Sequence, residues 1–212
     1  FITGNHIKDF NRRGCKIKVN SAVVSNNTFY NTWTSAPLST NPSATPMAQG
    51  VVDLVNGSHH IVSGNKFINT EYMAQIKIVA IQADDNPPNN PPTTIYEYEK
   101  VDNCVIRDNI FTRIGSQTSA TLIYVSSSTA AGDGSDGYPN TLADQGTNLT
   151  IKGNSFDVPG FSGYCIRVIR TRNVIVIDNA GIISTNATGV YMPPSAKVTN
   201  SIQQNNNFLV AT

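Results

Sequence analysis

The sequence predicts an all-β fold, a right-handed parallel β-helix (a solenoid) of about seven coils with three long loop insertions. Three observations predict it. First, a short phrase recurs: ITGNHI at 2–7, VSNNTF at 24–29, VSGNKF at 62–67, IRDNIF at 106–111, IKGNSF at 151–156 and IDNAGI at 177–182, with a looser IQQNNNF at 202–208. Second, the Asn marking each phrase falls at Asn5, Asn27, Asn65, Asn109, Asn154, Asn179 and Asn206. That is a base period of about 22–25 residues where nothing intervenes, the length of one coil of short strands. Third, charged residues are only 14% and Asn, Thr, Ser, Val and Ile are plentiful. Such a mix disfavours long helices and suits strands joined by tight turns. The scarcity of Leu excludes leucine-rich repeats.

Each part of a coil has a physical reason. The marker Asn belongs at a sharp turn between two strands, where it tolerates a left-handed backbone. Its amide can also bond the Asn of the next coil, as in stacked Asn ladders. The residue two positions on points inward and stacks on its counterparts: Ile7, Phe29, Phe67, Phe111 and Phe156. At the sixth phrase that place is Gly181, with Ile182 beside it, so the register is expected to drift there. Stacked at the ~4.8 Å strand spacing, seven coils give a rod of roughly 35 Å.

A second strand follows the marker: CKIKV (15–19), VVDLV (51–55), QIKIV (75–79), LIYV (122–125), CIRV (165–168) and GVYM (189–192). Period-2 alternation turns Ile17/Val19, Val52/Leu54, Ile76/Ile78, Ile123/Val125, Ile166/Val168 and Val190/Met192 inward. One outward residue per coil then forms a column: Lys18, Asp53, Lys77, Tyr124, Arg167 and Tyr191. A one-residue slip would bury charges.

The insertions are 34–49 after Trp33, 83–100, and 128–146. The last two leave the same strand in successive coils, so they are expected at one corner, walling one edge of the column. Loops of that length are usually functional or disordered. Cys15, Cys104 and Cys165 have no metal or disulfide spacing and read as free thiols. A net charge of +1 gives no field for nucleic acid, and no apolar run is long enough for membrane insertion. The chain reads as one β-helix domain over 1–212. It opens on Phe1 inside the first phrase, which is expected of a segment of a longer chain.

The repeated GN-x-F and NN-x-F phrases resemble the right-handed parallel β-helices of the pectate-lyase-like superfamily, and most of all bacteriophage tailspike depolymerases. The resemblance covers nearly the whole chain and is specific for fold, not for one activity. It implies a homotrimer in a virion tail that binds and cleaves bacterial surface polysaccharide, capsule or O-antigen. A secreted or cell-surface bacterial protein is the alternative location. The other readings are a non-catalytic polysaccharide-binding or shaft segment, and a bacterial lyase of the pectate or alginate type.

Polysaccharide binding points to the outward column. Lys18, Lys77 and Arg167 suit acidic sugars, and Tyr124 and Tyr191 suit ring stacking or hydrogen bonding. The plainer reading is a solvated face with Asp53 paired to Lys18 and Lys77, each pair worth ~0–1 kcal/mol. Trp33 is either a sugar platform or a loop anchor. Hydrolysis needs two carboxylates, ~5–5.5 Å apart for retention and ~6.5–9.5 Å for inversion. The candidates are Asp53 on the column and Glu97 and Glu99 in IYEYEK (95–100), which share a face of an acid pair or of an exposed extension. Other loop acids are Asp84, Asp85, Asp133, Asp136 and Asp144. Lyase chemistry needs a base such as Lys77, but the next coil offers Tyr124 where an Arg would be wanted. No cluster of three acids at coil spacing suggests calcium, and no cofactor is expected. His60 is expected to be buried and satisfied, and Asp102 to serve a turn.

Overall fold

A computed structural model describes residues 1–10, 13–32, 50–55, 57–70, 74–79, 101–114, 120–126, 146–192 and 198–211. Among these the protein is all-β, with its strands in three parallel sheets. The first sheet orders β1 (Ile2–Thr3), β4 (Val23–Ser25), β7 (Ile61–Ser63), β10 (Cys104–Arg107), β13 (Gly146–Lys152), β16 (Thr171–Ile177) and β19 (Thr199–Gln204). The second orders β2 (His6–Lys8), β5 (Thr28–Tyr30), β8 (Lys66–Ile68), β11 (Ile110–Thr112), β14 (Ser155–Val158), β17 (Ala180–Ile183) and β20 (Asn207–Val210). The third orders β3 (Cys15–Ile17), β6 (Gly50–Val55), β9 (Ala74–Val79), β12 (Ala120–Ser126), β15 (Gly163–Ile169) and β18 (Ala187–Tyr191). The chain visits the sheets in rotation and pairs each strand with its equivalent one turn later. This arrangement is consistent with a β-helix solenoid.

The marker asparagines hold the corner between the first and second sheets. The side-chain amide of each donates to the Oδ1 of the next, from Asn5 through Asn27, Asn65, Asn109, Asn154 and Asn179 to Asn206, at 2.9–3.0 Å. The second amide hydrogen of Asn27, Asn65 and Asn109 reaches back to the carbonyl of Ile2, Val24 and Val62. Buried amides need such partners, since an orphaned one costs about 1–3 kcal/mol.

The left-handed turn residue is not the marker itself, as expected, but the one before it. Gly4, Asn26, Gly64, Asp108, Gly153, Asp178 and Asn205 all have φ between 53° and 71°. The marker's amide must face inward to meet both neighbours, so the reversal falls one position earlier. There Gly, Asn and Asp carry the least steric penalty.

Inside the second sheet Phe29, Phe67, Phe111 and Phe156 stack at centroid separations of 5.2, 5.0 and 4.9 Å. All four are fully buried, each worth about 1.5–3 kcal/mol. The expected drift at Gly181 does not occur, because Phe156 pairs with Gly181 and Gly181 with Phe208. Phe208 instead leans across the missing ring to within 5.6 Å of Phe156, tilted by 45°.

Candidate functional site

The third sheet sets the outward column. Lys16 pairs with Asp53, Asp53 with Lys77, Lys77 with Tyr124, Tyr124 with Arg167 and Arg167 with Tyr191. One member corrects the sequence reading: Lys16 takes the place assigned to Lys18. Cys15 and Ile17 pack against the core, β3 ends at Ile17, and Val19, expected inside, is 56% exposed. Lys18 projects to solvent beyond the strand. The slip is of two residues, so it preserves the alternation and passes the parity test.

Asp53 is not a solvated surface acid. It is 1% exposed, and its Oδ2 accepts a hydrogen bond from Arg13 Nε at 2.8 Å. Its Oδ1 is buried without a hydrogen-bond partner. Both faces of β6 are buried, so this stretch of the column is covered. Beside it, burial pulls the Lys77 ammonium below its ordinary value. Asp53 opposes that shift, and Arg13 and Lys16 add to it.

The other end of the column is aromatic. The Arg167 guanidinium carbon lies 5.6 Å from the Tyr124 ring centre, 5.8 Å from Tyr191 and 5.5 Å from Tyr164. Tyr164 and Tyr191 also meet at 4.5 Å. Tyr164 was not identified from the sequence. It stands three residues before Arg167, which strict alternation places on the opposite face. The alternation resets between them, because Cys165 and Ile166 are consecutive and both fully buried. The ladder omits the Leu122 and Cys165 level, and Leu122 and Ile123 repeat the doubled inward pair. Two adjacent apolar residues in mid-strand were the available signal.

Arg167 has no described carboxylate for a partner. The arginine ion pairs among the described residues join Arg13 to Asp53 and Arg107 to Asp108. Its Nε is buried with no acceptor. Asp53 is the one acid in the strands of this sheet, so these strands do not assemble two carboxylates. Glu97, Glu99 and Trp33 lie outside the described residues, as do Asp84, Asp85, Asp133, Asp136, Asp144 and the three insertions apart from Gly146, which opens β13.

The remaining candidates are structural. His60 is fully buried, with Nδ1 accepting the Ala22 N–H at 3.3 Å. Asp102 Oδ1 accepts the Thr147 N–H at 2.6 Å and its hydroxyl at 3.0 Å, tying one turn to the next. Burial raises the Cys15 and Cys165 thiols to about 12 and Cys104 to about 11, which makes them poor nucleophiles. A second ladder, on the surface, escaped sequence reading. It runs from His59 through Asn103, Asn148 and Asn173 to Asn200, with side-chain separations of 2.9–3.3 Å. Every member is left-handed.

No protein-family model matches the chain, and no curated protein or solved structure matches it either.

Proposed function

We propose that the chain is a right-handed parallel β-helix of the pectate-lyase-like kind, with about seven coils and three long insertions. On this reading it binds an acidic bacterial surface polysaccharide, capsule or O-antigen, as a segment of a homotrimeric phage tailspike. The observation that supports binding is Arg167, a guanidinium set among three tyrosines with no described carboxylate to neutralise it. Stacked arginines keep their planar fork for carboxylates, and such charge-assisted bonds are the strong ones. Tyrosines beside it offer apolar faces and hydroxyls to sugar rings.

Cleavage is the second reading, and Lys77 is what favours it. A lysine lowered by burial suits proton abstraction next to a uronate carboxylate, and Tyr124 and Arg167 occupy the next two strands. Hydrolysis would instead draw its two carboxylates from Asp53, Glu97 and Glu99.

The test is calorimetric titration of the purified chain with capsular and O-antigen polysaccharides. Reducing ends and the ultraviolet absorbance of unsaturated uronate are followed in parallel. Binding that falls at least tenfold in Arg167→Ala, and also weakens in Lys77→Ala and Tyr124→Ala, is the expected result. Unchanged binding in all three variants removes the column as the contact. Products from any polysaccharide establish cleavage.

A further inference from the structure

The buried and the surface amide ladders differ in what fixes their direction. In the buried one, each Oδ1 from Asn27 to Asn206 is bonded twice, by the side-chain amide and by the backbone N–H of the preceding marker. A backbone N–H cannot turn round, so those oxygens are locked in place. The surface ladder has no such lock. Asn148 Nδ2 donates to Asn103 Oδ1 at 2.9 Å, Asn173 to Asn148 at 3.1 Å and Asn200 to Asn173 at 3.3 Å. These four side chains are exposed, and among the described residues their one further contact is Asn103 with His59. Turning an amide over exchanges its oxygen for its nitrogen, which costs such a ladder nothing if every neighbour turns with it.

The histidine at one end sets the direction. Asn103 Oδ1 is taken by Asn148, so Nδ2 is the atom 3.3 Å from His59 Nε2. An amide nitrogen donates and does not accept, so Nε2 accepts and the neutral imidazole carries its proton on Nδ1. A second proton, on Nε2, sets donor against donor. We propose that protonation of His59 turns Asn103, Asn148, Asn173 and Asn200 over together and reverses the direction in which the surface ladder donates. Asn103 then offers Oδ1 to the imidazolium and Nδ2 to Asn148, and each rung follows. All four bonds are kept, and the first becomes charge-assisted. Breaking at Asn103 instead leaves three bonds and two opposed donors.

Asn200 stands four strand spacings from His59, ~19 Å, so one proton changes hydrogen-bonding groups well beyond its own contacts. Asn148, Asn173 and Asn200 edge an open groove over Thr150, Ile175 and Ile202, and the polar edge of that groove exchanges donors for acceptors. The device does not depend on what the third sheet binds. The elements packed against His59 bring few other charges. The next turn brings Asp102, whose Oδ1 is held by Thr147, and the buried thiol of Cys104. The preceding turn brings Asn20 and Ser21, which carry none. His60 faces the interior, where its Nδ1 accepts the Ala22 N–H.

The test is nuclear magnetic resonance of the purified chain from about pH 8 to about pH 5, the range in which imidazole changes charge. The side-chain amide signals of the four asparagines are expected to move with one midpoint, that of the His59 ring, and Asn200 by at least half as much as Asn103. The buried amides of Asn109 and Asn154 stay in place as internal references. His59→Asn continues the ladder with a group that does not titrate, and is expected to abolish the movement. Its fold is checked by circular dichroism, and the wild-type titration decides alone if that variant does not fold. Movement of Asn103 by itself shows a ladder that breaks rather than turns, and overturns the proposal. So does a His59 titration that leaves the four amides unmoved, movement of the buried references with them, or movement that persists in the folded variant.

Discussion

The two ends of one column handle the same kind of charge in opposite ways. At the β6 end, Arg13 meets Asp53 at 2.8 Å in a site closed on both faces. At the β15 end, Arg167 meets three aromatic rings and no described carboxylate. The first arginine is used up by the fold, because a buried carboxylate stripped of its partner costs several kcal/mol. The second is held in place by ring faces that attract a cation without cancelling its charge. The difference separates an internal brace from a cation held among rings, although the two are built on the same sheet.

Breaking the brace gives the largest effect. Arg13→Ala is expected to destabilise the fold by about 3 kcal/mol, because Asp53 is left buried and unpaired. Chemical denaturation reads it, and glycan affinity per folded molecule stays the same. Arg167→Ala behaves in reverse, with stability moving by less than about 1 kcal/mol while affinity falls. If both variants lost stability equally, the distinction between the two ends would collapse.

Lys77, between the ends, gives a middle-sized effect that depends on pH. Its folded-state value lies below the ordinary 10.5, with burial as the main cause. As pH rises, the folded ammonium loses its proton first, so through that window the unfolded chain binds more protons. Stability therefore rises with pH there, while attraction for an acidic glycan weakens. Affinity of the wild type is expected to drop at lower pH than that of Lys77→Arg, whose guanidinium does not titrate in this range. Coincident profiles would remove Lys77 from the contact.

The smallest effect concerns register. Lys16→Ala is expected to weaken binding about twofold to fivefold, as one exposed charge worth under about 1 kcal/mol. Lys18→Ala should leave binding unchanged. The opposite ranking would return Lys18 to the column.

The repeating Asn and Phe positions revealed the stacked parallel strands because every repeat must solve the same corner and fill the same core. The column from Asp53 to Tyr191 was legible because burying a charge is costly enough to forbid a one-residue slip. A two-residue slip carries no such penalty, which is why Lys18 was preferred to Lys16. The burial of Asp53 was hidden because its partner, Arg13, stands 40 residues away. Tyr164 was hidden because Cys165 and Ile166 both turn inward and reset the alternation. The left-handed residue was assigned one place late because Asn suits both that conformation and the ladder, and only the ladder's inward geometry separates the two roles.

The gap at Gly181 bears on how the register is stored. One ring is erased from the aromatic stack, yet Asn179 still bonds Asn154 and Asn206, and the strands on either side keep their partners. The alignment is thus written twice, once in aromatic rings and once in amide rungs, and an erasure in one copy is corrected by the other. Such redundancy leaves the stack open to editing, by shrinking a ring or shifting one in from the next turn as Phe208 does, while every outward position on the third sheet keeps its address.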